Sequence, residues 1–128
     1  MNKLMLKFSA TFINCYTEDD VPVIGISDDP CEPEHFLIIS QFIDGDDSID
    51  ESIGLQTHLS EQEFSGVIDS VALSRQQLHI TIREEKAAAV GMRTIIADLR
   101  VSVEQWDILA GYIRMIFTGS SIKITLGN

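Results

Sequence analysis

Positive charge is what this sequence has least of. Nine Lys and Arg face twenty Asp and Glu, a formal net charge of −11. The shortage is uneven: residues 1–66 hold fourteen acidic residues and two lysines, a net of −12, while residues 67–128 hold six acidic and seven basic residues, a net of +1. An acidic half repels phosphate backbones, so a direct nucleic-acid binder is not expected. Such a surface attracts a basic protein partner and speeds its encounter, although its plainest use is solubility. Long apolar runs are missing as well, and none approaches the roughly eighteen residues needed to span a bilayer. The opening MNKLMLKFSATFINC has the look of an export signal, but Lys7 interrupts its apolar stretch and the alternation runs on as a strand. A cytoplasmic protein is therefore expected, with Cys15 and Cys31 as reduced thiols rather than a disulfide.

Chemical fingerprints are equally sparse. The chain has no glycine-rich phosphate loop, no GxSxG and no HExxH. Cys31 and His35 stand close together, but no second ligand pair follows at zinc spacing, so no metal and no cofactor are expected. His58 and His79 fall on the polar sides of alternating strands, beside Gln56 and Thr81 respectively, and read as surface residues, with a ligand or general-base role as the alternative. No catalytic residues emerge. An enzyme with an uncommon site around His35 or His58 stays as a rival reading, discriminated by whether a deep polar cleft lies near either ring.

What the sequence does contain is periodicity. From Ser102 to Phe117, the residues Val103, Trp106, Leu109, Ala110, Ile113, Ile116 and Phe117 recur at the spacing of one helical face. Ser102 and Gln105 have the form of a capping box, and Gly119 stands where helices commonly end. Ile108, Gly111, Tyr112 and Met115 form a second, narrower stripe. A loop or the terminal strand covers that stripe, or it is scattered surface, or Ile108, Tyr112 and Met115 form a homodimer seam.

Most of the remaining chain reads as strands: Leu4–Tyr16, Val21–Ser27, His35–Ile43, Ile53–Leu59, Val67–Leu73, Leu78–Ile82, Thr94–Leu99 and Ile122–Leu126. His35–Ile43 is continuously apolar and suits a central position. Glu84–Val90 supplies a short helical turn closed by Gly91. The expected fold is α+β, a mainly antiparallel twisted sheet with the long C-terminal helix on one face, in a single domain over residues 1–128.

The Asp44–Glu51 loop, DGDDSIDE, remains. Asp44, Asp46, Ser48 and Asp50 alternate as calcium-loop ligands do, but Ile49 occupies the glycine position and Leu55 the position of the bidentate glutamate. Calcium is therefore set aside. The loop reads as a solvated turn or, functionally, as a docking patch for a basic partner built from Asp44, Asp46, Asp47, Asp50 and Glu51.

From Phe36 to Phe117 the order of segments resembles a known family. FLIISQFID, the acidic loop, IGLQTHL, GVIDSVALSRQQLHITI, EEKAAAVG, TIIADL and EQWDILAGYIRMIF resemble immunity protein 10, small bacterial proteins encoded beside polymorphic toxins. The most specific part is the Gly66–Ile82 hairpin joined to Glu85–Gly91, and the first thirty-five residues add little. The resemblance implies a non-enzymatic inhibitor that binds a toxin domain in the cytoplasm, and a basic nuclease would suit the acidic half. It implies no residue-level binding motif. The rival of another class is a small homodimeric structural or adaptor protein.

Overall fold

The alternation of the first strand slips by one residue at Thr11. Leu6, Phe8 and Ala10 are buried, and continuing that period would bury Phe12; instead Ile13 is buried and Phe12 is half-exposed. The chain leaves one sheet here and enters another. The Ala10 carbonyl accepts the Arg100 N–H at 2.8 Å, whereas the Thr11 N–H donates to Ser27 O at 3.0 Å. The single strand expected over Leu4–Tyr16 is thus two, β1 (Met5–Ala10) and β2 (Phe12–Glu18). The computed structural model describes residues 5–43, 45 and 48–127.

β2 begins an antiparallel meander with β3 (Val21–Ser27), β4 (Phe36–Gln41), β5 (Ile53–Thr57) and the short β6 (Phe64–Ser65), ordered β2-β3-β4-β5-β6. Its first turn places Asp19 at φ 52° and Asp20 at φ 66°. Two successive left-handed residues twist the connection to match the strands, and Asp tolerates that conformation better than most side chains. β4 is the middle strand, as its apolar run suggests. The second sheet takes β1, β7 (Ile68–Leu73), β8 (Gln77–Ile82), β9 (Thr94–Leu99) and β10 (Lys123–Leu126) in the order β1-β9-β8-β7-β10. β1 pairs with β9, and β10 with β7, in parallel.

The expectation of one sheet is corrected to two five-stranded sheets, still with mostly antiparallel pairing. Alternation reveals that a strand has one buried face, but not which neighbours it pairs with. Two strand ends also move. β5 stops at Thr57, whose Oγ1 accepts the Leu59 N–H at 3.2 Å, leaving Leu59 exposed instead of in the core. β4 stops at Gln41, with Phe42 and Ile43 exposed beyond it.

Between β8 and β9, a 3-10 turn (Glu84–Lys86) runs into α1 (Ala87–Val90), closed by Gly91 at φ 93°. The longer α2 (Val103–Phe117) starts where Ser102 Oγ accepts the Gln105 N–H at 3.1 Å, half of the expected capping box. Its buried face is Trp106, Leu109, Ala110, Ile113, Ile116 and Phe117. That face packs nearest β2 and β3, while the Trp106 indole N–H donates to Ser74 O, in the β7–β8 turn, at 2.8 Å. The helix therefore engages both sheets. No helix of the described residues is long and apolar enough to cross a membrane.

Candidate functional site

The two sheets divide the charge. From Phe12 to Ser65, the whole span of β2–β6, the chain carries fourteen Asp and Glu and no Lys or Arg. From Lys7 to Arg75 there is no intervening basic residue. Three acidic segments lie on the connections of this sheet, around residues 18–20, 28–34 and 44–51.

Of the predicted docking residues, Asp44, Asp46 and Asp47 lie outside the described residues. Asp50 turns inward. Its carboxylate accepts the Ser121 N–H at 2.8 Å and the Ser121 hydroxyl, and pairs with the Arg83 guanidinium at 2.9 Å. These groups, the Ser121 hydroxyl foremost and Arg83 with it, hold the Asp50 carboxyl below its ordinary pKa. Asp50 joins the lead-in of β5 to the end of β8 and the lead-in of β10. Glu51 beside it is exposed, with its carboxylate over Gly66, where φ is 68°.

The loop from Asp28 to His35 is stapled from within. Asp28 Oδ1 accepts the Glu34 and His35 N–H groups at 3.1 and 3.3 Å, and Oδ2 meets His35 Nδ1 at 2.8 Å. Asp29 Oδ2 accepts the Cys31 and Glu32 N–H groups at 2.9 and 2.7 Å. Each carboxyl is held below its ordinary pKa, Asp28 chiefly by the His35 side chain and Asp29 chiefly by the Glu32 N–H. Asp28, Glu34 and His35 place potential metal-binding atoms within 4.8 Å of one another. Both Asp28 oxygens already take donors from the loop, so the trio first of all fixes the loop's shape.

The histidines are more enclosed than their strand faces suggest. The His35 ring stacks on Phe8 at 6.0 Å and meets the edge of His58 at 4.8 Å. His58 also packs against Phe36, and its Nδ1 lies 3.1 Å from the Phe36 backbone nitrogen and 3.4 Å from the Phe36 carbonyl oxygen. His58 and His79 are both half-buried rather than fully at the surface, and His58 differs in packing against the rings of Phe8, His35 and Phe36. Both cysteines are free thiols, and burial pushes the Cys15 thiol up to about 12, so it stays protonated at neutral pH.

Beside the Asp28–His35 loop, the outer face of β2–β4 is hollowed. Asn14, Gly25 and Ile38 are neighbours across the three strands, and Phe12 and Phe36 flank them one row away through Ser27. Together with Pro30 and Pro33 they enclose an open groove of about 260 Å³, with Asp29 at its lip. Sequence reasoning missed this groove. A glycine inside an apolar strand was its one visible signal.

The outer stripe of α2 is split. Ile108 and Met115 are about half exposed, at 50% and 48%, but the Tyr112 hydroxyl lies 3.2 Å from Thr17 Oγ1 on β2.

Comparison with protein-family models places the chain among the immunity proteins. The matching description is immunity protein 10, over residues 8–108, and the chain belongs to that family. No curated protein matches it. The matched region starts inside β1, so the first three strands belong to it, contrary to the small share expected of them. It ends within α2 at Ile108.

Proposed function

We propose that the protein is a non-enzymatic, stoichiometric inhibitor that binds a bacterial toxin domain in the cytoplasm through its acidic sheet. Family membership implies a toxin as the partner. The observation that carries the finer reading is the cation-free span from Phe12 to Ser65. A surface of one sign steers an oppositely charged partner into encounter. A nuclease fits that complement, because its own substrate requires a cationic face.

In this reading Asp44, Asp46, Asp47 and Glu51 supply long-range attraction, while Asp50 serves by holding the loop in place. Changing Asp44, Asp46 and Asp47 together to asparagine is expected to slow association with the partner toxin domain about tenfold at low salt. Dissociation should change little. Stopped-flow rates across a salt series check this, and an unchanged association rate removes the loop from binding.

A second reading, a homodimer seam along α2, is favoured by the exposure of Ile108 and Met115. It predicts a concentration-dependent dimer in sedimentation equilibrium, abolished by Met115→Asp. A wild-type monomer at every concentration rejects it.

A further inference from the structure

We propose that the groove on the outer face of β2–β4 is the seat of one long basic side chain, an arginine, presented by the bound toxin. The identity of the presenter rests on the toxin-binding reading above; the chemistry of the slot does not.

The floor of the groove follows from register. Asn14, Gly25 and Ile38 lie side by side, and the central position has no side chain. A Cβ at Gly25 would stand 3.2 Å from the Asn14 carbonyl oxygen, so the strands approach closely there and the sheet surface is low. Phe12, Phe36 and the two loop prolines rise around it as apolar walls. At one end Asp29 belongs both to this groove and to an adjoining recess formed with Asp28, Glu32 and Glu34. An apolar slot that runs into a carboxylate matches a side chain with an apolar stem and a cationic head.

The carboxylate is prepared for that role. Asp29 Oδ2 is occupied by two backbone N–H groups of its own loop, which fix the side chain and favour its ionised form. Oδ1 takes no donor among the described residues. The Ser27 hydroxyl ties the loop to the sheet by donating to Asp29 O at 2.9 Å. Among the described residues, no Lys, Arg or His comes within ion-pair distance of Asp29, Glu32 or Glu34. The nearest Lys or Arg along the chain are Lys7 and Arg75, and His35 is taken up by Asp28 at 2.8 Å. Charge complementarity therefore calls for a cation from outside. Arginine fits better than lysine because a planar, weakly hydrated guanidinium stacks on aromatic walls such as Phe12 and Phe36, while a compact ammonium keeps its water. A leucine or phenylalanine would fill the walls but would strip water from Asp29 without pairing it.

The test has two arms. In the first, the isotope-labelled full chain is titrated with N-acetyl-arginine methylamide and followed by amide NMR shifts. Saturable shifts are expected at Asn14, Gly25, Ile38 and Asp29–Glu32. The norleucine amide should bind about tenfold more weakly, and so should arginine to Asp29→Asn, in which the side-chain oxygen can still accept the two loop N–H groups. Equal binding of norleucine, no effect of Asp29→Asn, or shifts spread over every acidic loop would overturn the proposal.

In the second arm, Asp29→Asn and Ile38→Lys are assayed for binding the toxin domain, with urea unfolding to show that both remain folded. Weakened binding by both supports the groove. Unchanged binding removes the groove from the toxin interface while leaving the toxin-binding function intact. If the wild-type chain binds no toxin, that function fails, and the arginine titration decides the slot by itself.

Discussion

Replacing Trp106 with alanine is expected to cost roughly 3–5 kcal/mol of stability. The ring is only 7% exposed, in the first turns of α2. It fills space between the helix and the sheets, and its indole N–H takes up the Ser74 carbonyl at 2.8 Å. The Arg75 guanidinium stands 4.1 Å from the ring centroid on the same turn, with Asp107 3.9 Å from Arg75. Truncation therefore leaves a cavity, an unpaired carbonyl and an arginine without its aromatic platform. Trp106→Phe separates these effects: it keeps most of the volume and loses the hydrogen bond, for an expected cost of about 1 kcal/mol. Urea unfolding with an unchanged slope is the measurement. An alanine variant as stable as wild type would mean that α2 does not secure the β7–β8 turn.

The second large effect is at Asp50. Asp50→Ala removes the acceptor of both Ser121 groups and the partner of Arg83, with an expected loss of about 2–3 kcal/mol, because hydrogen bonds to an ionised group are the stronger kind. The loss should depend on pH. The folded-state pKa of Asp50 is lowered, so its contribution is complete above the unfolded value, about 3.9, and disappears as pH falls through the folded value. Wild type and variant should therefore differ by a constant amount at neutral pH and converge in acid. A difference that persists unchanged well below pH 4 would assign the effect to packing rather than to the ionised carboxylate.

Asp50 also shows where sequence reading stops. In sequence it is one of several acids in a polar loop. Its partners lie 33 residues away at Arg83 and 71 residues away at Ser121, and no local pattern points to either. Features written within a few residues were legible: the α2 stripe from Trp106 onward, the Ser102 cap, and the β7–β8 hairpin, closed by Ser74 N–H to Gln77 O at 2.9 Å. Val103, expected on the same face as Trp106, is instead 64% exposed in the first turn. The central place of β4 was legible too, because a strand flanked on both edges in a packed sheet tolerates few polar residues. The division into two sheets was not. It turns on one residue, Thr11, and on parallel pairings whose partners are remote in the chain. The groove escaped for a related reason. Phe12, Gly25, Pro30 and Ile38 come from three strands and a loop, and only their register assembles a cavity.

That topology sets an order of assembly. β2 to β6 pair with their successors in sequence, so the acidic meander can close hairpin by hairpin as the chain leaves the ribosome. β1 cannot be completed so early, because Met5 pairs with Thr94 and Ala10 with Leu99. β1 must stay unpaired until β9 has followed it in the chain, and β10 can pair with β7 only once β8, β9 and α2 have been made. Such distant parallel closures carry a high loop-closure cost and fold slowly. The rate-limiting step of folding should therefore be the capture of β1 by β9, long after the acidic sheet has formed.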